Sequence, residues 1–209
     1  QEHLLSGGKL SVNFEMLPYE KVPSFYDLLR KKDGLGALGL RWLILTATRS
    51  VSVYAARWDE IDRTAGTWTI PAERMKGRMG GKEPLVVPIT GEMGEILLRL
   101  AALRIPGNPY LFPGAKEGRP MSHERMRGML GFMITEGLVD ECTVHAFRAS
   151  FRSWVTDMTI HEPHVAERAL GHKVGTGTQR AYDRGDALEK RRQMMEDWAT
   201  FVAGSKPDA

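Results

Sequence analysis

A histidine and an arginine three residues apart, His145 and Arg148, form the pair in this sequence best suited to bind a phosphate. Positions i and i+3 share one face of a helix, so the spacing predicts an imidazole beside a guanidinium. A guanidinium keeps its charge and matches two phosphate oxygens with its planar fork, while an imidazole donates a hydrogen bond or moves a proton. An amphipathic helix with ordinary polar surface groups would show the same pair.

A second pair that could take part in a reaction is His172 and Tyr182, which lie ten residues apart. His172 directly follows Gly171. Gly171 would let His172 approach a ligand closely. A tyrosine hydroxyl can act as a nucleophile toward phosphorus, but its pKa of about 10 calls for cationic neighbours or a base near neutral pH. Arg180 and Arg184 flank Tyr182 and could supply that charge. The alternative is a helix tyrosine that packs its ring against the core.

Two more cations, Arg49 and Lys76, lie in the first half of the chain. Arg49 directly follows an apolar helix pattern and could point from a helix junction into a pocket. Lys76 lies in a basic, glycine-rich stretch over 74–82, which we predict to be the turn of a β-hairpin. A lysine on such a turn can reach a nucleic-acid groove and supply a proton to a leaving oxygen. Taken singly, a salt-bridged surface arginine and a solvated basic turn explain these residues equally well.

The elements that must position these groups are mostly helices, because apolar residues recur at helical spacing along most of the chain. After a lead-in over 1–21, the pattern predicts helices that begin after Pro23 and cover 35–45, 50–56, 90–103, 122–136, 144–158, 162–170 and the stretch from Leu188, whose flank carries Lys190, Arg191 and Arg192. Thr90 is the predicted N-cap of the fourth. β-Branched stretches over 67–70 and 84–88 predict two antiparallel strands. The fold class is therefore mainly α with a small antiparallel β-sheet (α+β).

Composition narrows the function classes further. One cysteine in 209 residues excludes intramolecular disulfides and cysteine-rich zinc sites, and fits a reducing compartment. No apolar run is long enough to span a membrane and no signal peptide is visible, so we expect a cytoplasmic protein without a membrane partner. The net charge of +3 and pI of about 9.0 permit a polyanionic partner.

The order and spacing of six residues resemble those of the tyrosine recombinases, closest to the integrases of prophages and genomic islands; they are Arg49, Lys76, His145, Arg148, His172 and Tyr182. Local stretches over 56–62, 71–76, 184–186, 189–192 and 195–198 look like the same subgroup. The resemblance extends from about Leu17 to the C-terminus. It implies the tyrosine recombinase catalytic-domain fold over 17–209, with 1–16 as a linker or a remnant of a preceding core-binding domain.

The resemblance also implies a reaction. The two arginines and the two histidines would surround the scissile phosphate, Lys76 would protonate the leaving 5′-oxygen, and Tyr182 would attack to give a 3′-phosphotyrosine link. Such chemistry serves the integration and excision of mobile DNA by a bacterial or phage-encoded enzyme. The implied partners are double-stranded DNA and further copies of the chain, as a tetramer on DNA in the full-length protein. Fixed cations can stabilise the charge of such a reaction, so we expect no metal and no small-molecule cofactor.

One position departs from the family pattern. The family usually has an acidic residue three positions after the first arginine, and this chain has Ser52 there. We therefore expect reduced activity or a substitute carboxylate. The departure leaves open a catalytically impaired remnant that only binds DNA. Two further alternatives are independent of Ser52: a type IB topoisomerase-like enzyme, and a metal-binding protein that uses His161 and His164.

Overall fold

The computed structural model describes residues 16–75, 83–172 and 187–204. Lys76 and Tyr182, which the sequence singled out, lie outside the described residues. Eight α-helices and three strands occur in the described ranges: α1 Val22–Arg30, α2 Leu35–Thr46, α3 Ser50–Tyr54, β1 Ile61–Asp62, β2 Thr67–Ile70, β3 Leu85–Pro88, α4 Gly91–Ala102, α5 Glu124–Thr135, α6 Ala146–Met158, α7 Pro163–Ala169 and α8 Leu188–Ala203. This confirms the predicted class, mainly α with a small antiparallel sheet.

Helix α2 is the central element of the core. Every residue of α2 after Leu35 is buried, because the helix is apolar almost all round and is covered on all sides. Helix α5 packs closely on it at Gly36, where a Cβ would lie 2.6 Å from the carbonyl oxygen of Arg125. The glycine therefore sets the distance between the two helices, and α2 is held in a fixed position from which its C-terminal end projects.

The three strands form one antiparallel sheet in the order β1-β2-β3. Trp68 of β2 pairs with Val87 of β3 and with Ile61 of β1. Its ring is fully buried and meets Trp42 of α2 edge to face, with 5.6 Å between ring centroids. The predicted pair of strands is confirmed, while β1 was not predicted because two residues carry no recognisable pattern. The sheet is thus anchored to α2 through Trp68 of its central strand.

A buried charge cluster joins α1, α2 and α4. The carboxylate of Glu92 accepts hydrogen bonds from Arg41 at 2.8 Å, Arg30 at 2.9 Å and the hydroxyl of Tyr26 at 2.9 Å. Burial alone would raise the pKa of Glu92, but the bonds from Arg30, Arg41 and Tyr26 outweigh it and leave this pKa below its ordinary value. The acid is therefore ionised and locks the three helices together.

Three details of the helix predictions are corrected by the structure. Helix α1 begins at Val22, so Pro23 lies within its first turn, where its missing N–H costs nothing, rather than before it. Leu103 is half exposed at 50%, because α4 ends at Ala102 and the apolar stripe ends with it. Arg191 is buried rather than on the flank of α8, and its guanidinium donates to the carbonyl of Val86 in β3.

Other helix predictions are confirmed. The hydroxyl of Thr90 accepts from the backbone N–H of Met93 at 3.4 Å and caps α4 as expected. Among the residues that the structure describes, no helix combines the length and the apolar character needed to cross a membrane.

Candidate active site

Arg148 lies at the centre of the candidate site, on the first turn of α6 and only 6% exposed. Its guanidinium donates to the carbonyl of Ala47 at 2.5 Å and to the carbonyl of Leu170 at 2.8 Å. The same group lies 3.3 Å from Nε2 of His172. A buried cation needs such oxygen partners, because an unpaired one would be expensive. Arg148 therefore ties the ends of α2 and α7 to the start of α6.

The backbone turns sharply where α2 ends. Ala47 has a left-handed φ of 47°, which a residue with a Cβ rarely adopts. This conformation ends α2 and points the Ala47 carbonyl at Arg148. The chain then becomes extended at Arg49, which is the N-cap residue of α3. Strain of this kind persists where the surrounding structure enforces it, and it is concentrated at functional sites.

Arg49 lies beside Arg148. An Nη atom of Arg49 is 3.9 Å from the position that a Cβ would take at Gly171, the residue before His172. Burial lowers the pKa of Arg148 to about 10, and the positive charge of Arg49 contributes to that shift. Two guanidinium groups thus share one pocket and repel each other there.

His172 is held by a glycine turn and a carboxylate. Gly171 has a φ of +68°, a left-handed conformation that favours glycine, and the flexible end of Met75 occupies the space that a Cβ would take there. Nδ1 of His172 lies 2.7 Å from Glu167, whose other carboxylate oxygen accepts from Arg152 at 2.6 Å. The bond to Glu167 leaves Nε2 of His172 directed toward Arg148.

Glu167 is the residue of this site that the sequence did not reveal. Burial would raise its pKa, but the bonds from His172 and Arg152 outweigh burial and leave the pKa below its ordinary value. The ionised carboxylate also interacts favourably with Arg148. The sequence offered one indication of this role, which is the position of Glu167. It lies on α7 five residues before His172, a spacing that places it near the turn at Gly171.

His145 lies at the rim of the pocket, immediately before α6, and is exposed. Partial burial of its ring nevertheless lowers its pKa, and the charges of Arg148, Arg49 and His172 lower it further. The imidazole therefore lies within electrostatic reach of these cations, although it does not share the buried face of Arg148 as the helical spacing had suggested.

The structure thus brings together four of the six residues predicted from the sequence: Arg49, His145, Arg148 and His172. Lys76 and Tyr182 lie outside the described residues. Met75, which precedes Lys76 in the sequence, reaches the Gly171 turn. A pocket lined by two guanidinium groups and two imidazoles suits an anion with several oxygens, such as a phosphodiester.

The two histidines considered as metal ligands have other partners. Nε2 of His161 lies 2.7 Å from Asp197, and Nδ1 of His164 lies 3.2 Å from Glu162. Within 16–75, 83–172 and 187–204 there is no group of three or more histidine, cysteine or acidic side chains that could hold a metal ion.

Comparison with known proteins gives a family match. The model of the "Phage integrase family" matches residues 16–188. Prophage integrase IntA of Escherichia coli strain K12 is 35% identical over 162 residues, which are 77% of this chain and 37% of that protein. Prophage integrase IntZ of the same strain is 30% identical over 187 residues, 89% of this chain and 44% of that protein. The chain thus matches less than half the length of these two relatives.

Solved structures show the same fold. A lambda integrase fragment, solved as a dimer bound to a COC′ core site, matches 81% of this chain and 61% of its own with a TM-score of 0.58 at 18% identity. The catalytic core of lambda integrase matches 76% of this chain and 95% of its own with a TM-score of 0.53 at 18% identity. The described helices and sheet therefore have the architecture of a tyrosine recombinase catalytic domain.

Proposed function

This chain belongs to the phage integrase family, and on that premise we propose that it is the catalytic domain of a site-specific recombinase that cuts and rejoins double-stranded DNA through Tyr182. In the longer proteins that it resembles, such a domain would serve the integration or excision of mobile DNA. The matched relatives are named as integrases, which favours recombination over a topoisomerase-like activity.

One observation carries the proposal: Arg49 and Arg148 share a pocket with His172. A phosphodiester under attack gathers charge on its non-bridging oxygens, and fixed cations stabilise that charge more than they stabilise the ground state. Removing one such donor typically slows a reaction by about 10²–10³-fold. The pKa of Arg148 is lowered by burial first and by the charge of Arg49 second, and a phosphate bound between the two arginines would relieve their repulsion.

The cleavage step assigns a role to each remaining group. Oη of Tyr182 attacks the phosphorus, the P–Oη bond forms, and the bond from phosphorus to the 5′-oxygen breaks. His145, neutral because its pKa is lowered, accepts the phenolic proton. Lys76 gives a proton to the departing 5′-oxygen. His172, oriented by the bond from its Nδ1–H to Glu167, would donate from Nε2 to a phosphate oxygen in its imidazolium form.

The proposed partners follow from the same chemistry. Duplex DNA supplies the phosphodiester, and the lambda fragment with this fold was solved on its DNA core site. Rejoining requires a second strand in reach of the phosphotyrosine, which a tetramer of the full-length protein on DNA would provide. The reaction would take place in the cytoplasm of a bacterium, on phage or prophage DNA.

Covalent trapping tests the proposal. A pool of duplexes, each nicked close to the cleavage position and randomised in sequence around it, loses a short fragment after cleavage and leaves the protein attached. We expect an adduct with the native chain, none with Tyr182→Phe, and at least a hundredfold slower trapping with Arg148→Lys. Sequencing the trapped strands then identifies the preferred site. An adduct of equal yield with Tyr182→Phe, or none with the native chain, would refute the proposal.

A further inference from the structure

The end of helix α7 places the side chains of Glu167 and His172 next to each other. The backbone N–H of His172 donates to the carbonyl of Glu167 at 2.9 Å, and that of Gly171 donates to the carbonyl of Arg168 at 2.9 Å. Together with the left-handed φ of Gly171, these two bonds form a Schellman motif. An apolar contact between the side chains at these two positions frequently accompanies the motif. Here a carboxylate and an imidazole meet instead, with Nδ1 of His172 at 2.7 Å from Glu167.

Arg152 of α6 holds the other side of the same carboxylate. Its Nε donates to one oxygen of Glu167 at 2.6 Å, while the other oxygen faces Nδ1 of His172. The guanidinium also donates to the hydroxyl of Thr156, one turn further along α6, so Arg152 is tied to its own helix. Glu167 thus has one donor for each of its oxygens and cannot rotate without losing one of them. The orientation of this carboxylate is therefore set from α6.

Helix α6 orients both nitrogens of the His172 ring. Arg148 and Arg152 lie four residues apart, on the same face of α6. Arg148 lies 3.3 Å from Nε2 of His172, whereas Arg152 acts on Nδ1 through Glu167. The side chain of His172 is 43% exposed, so these bonds, rather than packing, decide where its ring points.

We propose that Arg152 is a positioning residue that acts through Glu167 to keep Nε2 of His172 directed at a phosphate bound beside Arg148. The catalytic effect rests on the proposed function. Because Nδ1 is occupied by Glu167, Nε2 is the ring nitrogen that remains to contact a phosphate oxygen. A displacement of such a group by about 1 Å can cost about 10²-fold in rate.

The location of the imidazole proton tests this arrangement without DNA. At about pH 9 an ordinary histidine is neutral and carries one ring proton, and the nitrogen chemical shifts show which nitrogen holds it. We expect this proton of His172 on Nδ1 in the native chain, because the carboxylate accepts it there. In Glu167→Gln the amide oxygen should accept from Arg152 and turn the NH₂ group toward Nδ1, which moves the proton to Nε2. Arg152→Met should also lower the population with the proton on Nδ1, because Glu167 is free to turn toward solvent.

The rate of adduct formation tests the catalytic effect, with a saturating amount of a duplex selected by the trapping experiment. We expect His172→Gln to be slower than the native chain by about 10²-fold, and Arg152→Met by about tenfold. The double variant should be no slower than His172→Gln alone, because Arg152 acts through the imidazole. Arg152→Lys keeps a charged donor for Glu167 and should recover most of the native rate.

Lys190→Met is the matched control. Lys190 of α8 pairs at 2.7 Å with Glu162, the N-cap residue of α7, so this variant removes an ion pair of the same kind at the opposite end of that helix. The proton of His172 should stay on Nδ1, and the rate of adduct formation should stay at the native value.

An Nδ1 population in Arg152→Met equal to that of the native chain would overturn the inference. A native rate in Arg152→Met would overturn it too, as would a double variant that is slower than His172→Gln by the full tenfold. If Arg152→Met does not fold, Glu167→Gln decides by the same two measurements. A native chain that forms no adduct would refute the proposed function and the catalytic effect with it, whereas the nitrogen shifts would still show whether Arg152 and Glu167 orient His172.

Discussion

At the scale of single residues, the site depends on positive charge that the fold concentrates and only partly compensates. Arg148 is stabilised by two carbonyls and by Glu167, but burial, and after it the charge of Arg49, still lowers its pKa to about 10. A bound phosphate would supply the missing negative charge. The repulsion between Arg49 and Arg148 thus destabilises the pocket, and a bound anion would offset it. This arrangement is expected of a binding site rather than of a structural ion pair.

Ser52 provides the first test at this scale. It is 2% exposed and lies one turn after Arg49 on α3, where a carboxylate would share a face with the guanidinium. We expect Ser52→Glu to speed adduct formation about tenfold, equivalent to about 1.4 kcal/mol of transition-state stabilisation. Ser52→Gln, of the same size but uncharged, should not. If Ser52→Glu does not raise the rate of adduct formation, Ser52 is not the cause of any low activity. Glu167 would then be the carboxylate that replaces the missing acidic residue.

The lowered pKa of His145 gives a pH prediction. A base must be neutral to accept the proton of Tyr182, and a pKa below 6.5 keeps His145 neutral at pH 7 in the free protein. The second-order rate constant for adduct formation reports the free protein, so it should stay level near pH 7 and fall only as the pH drops below 6.5. His145→Gln should react slowly without this acid limb. A native acid limb centred above pH 6.5 would contradict the assignment.

At the scale of elements, helix α8 completes the hydrophobic core by packing on α2 and α6. Trp198 is fully buried, its Nε1 donates to the carbonyl of Ile44 in α2 at 2.8 Å, and its ring packs against Trp154 of α6 with 5.1 Å between centroids. Helix α8 therefore packs within the same molecule, on both of the helices that carry the pocket. Three further apolar residues of α8 are buried in the same way: Met194, Met195 and Val202.

Trp198→Ala measures that contribution. Removing a large buried aromatic side chain typically costs about 3–5 kcal/mol, and here a hydrogen bond to the last turn of α2 is lost as well. We expect a loss of this size in the free energy of unfolding, measured by urea denaturation. Phe132→Ala is a suitable control, because Phe132 on α5 is about half exposed, at 47%. A loss below about 1 kcal/mol would mean that α8 is not part of the domain's core.

The elements also show which features a sequence can disclose. Helix α4 was predictable because a cap and an apolar stripe coincide, and both are confirmed by the Thr90 bond and the buried Met93. Helix boundaries were less predictable, as with Leu103, since only packing decides where burial ends. Strand β1 was missed because its two residues become a strand only through pairing with β2.

In the candidate site, too, some residues could be selected from the sequence and others depend on the three-dimensional fold. Residue types and order were sufficient to select Arg49, His145, Arg148 and His172, which the fold brings together. Glu167 could not be selected, because its role depends on the turn at Gly171, which brings His172 back to the last turn of α7. The strain at Ala47 was also invisible, since alanine gives no hint of a left-handed φ.

At the scale of the whole molecule, the net charge of +3 is modest, so the proposed attraction to DNA would come from where the cations lie rather than from their number. The chain covers less than half of its relatives IntA and IntZ, and the parts of those proteins outside the match would add contacts of their own. For this chain alone, DNA binding should be weak and should depend mainly on phosphate contacts, which are independent of base sequence.

The salt dependence of that binding counts the phosphate contacts directly. The logarithm of the binding constant falls with the logarithm of salt concentration by about 0.9 for each duplex phosphate that a cation neutralises. Arg49→Ala should therefore reduce the slope by about one unit on any duplex of fixed length, measured by fluorescence anisotropy. Lys31→Ala is the control, because Lys31 is exposed at the C-cap of α1 and already pairs with Asp27 at 2.7 Å. Equal slopes for the native chain and Arg49→Ala would mean that Arg49 touches no phosphate, and the pocket that it shares with Arg148 would then need another ligand.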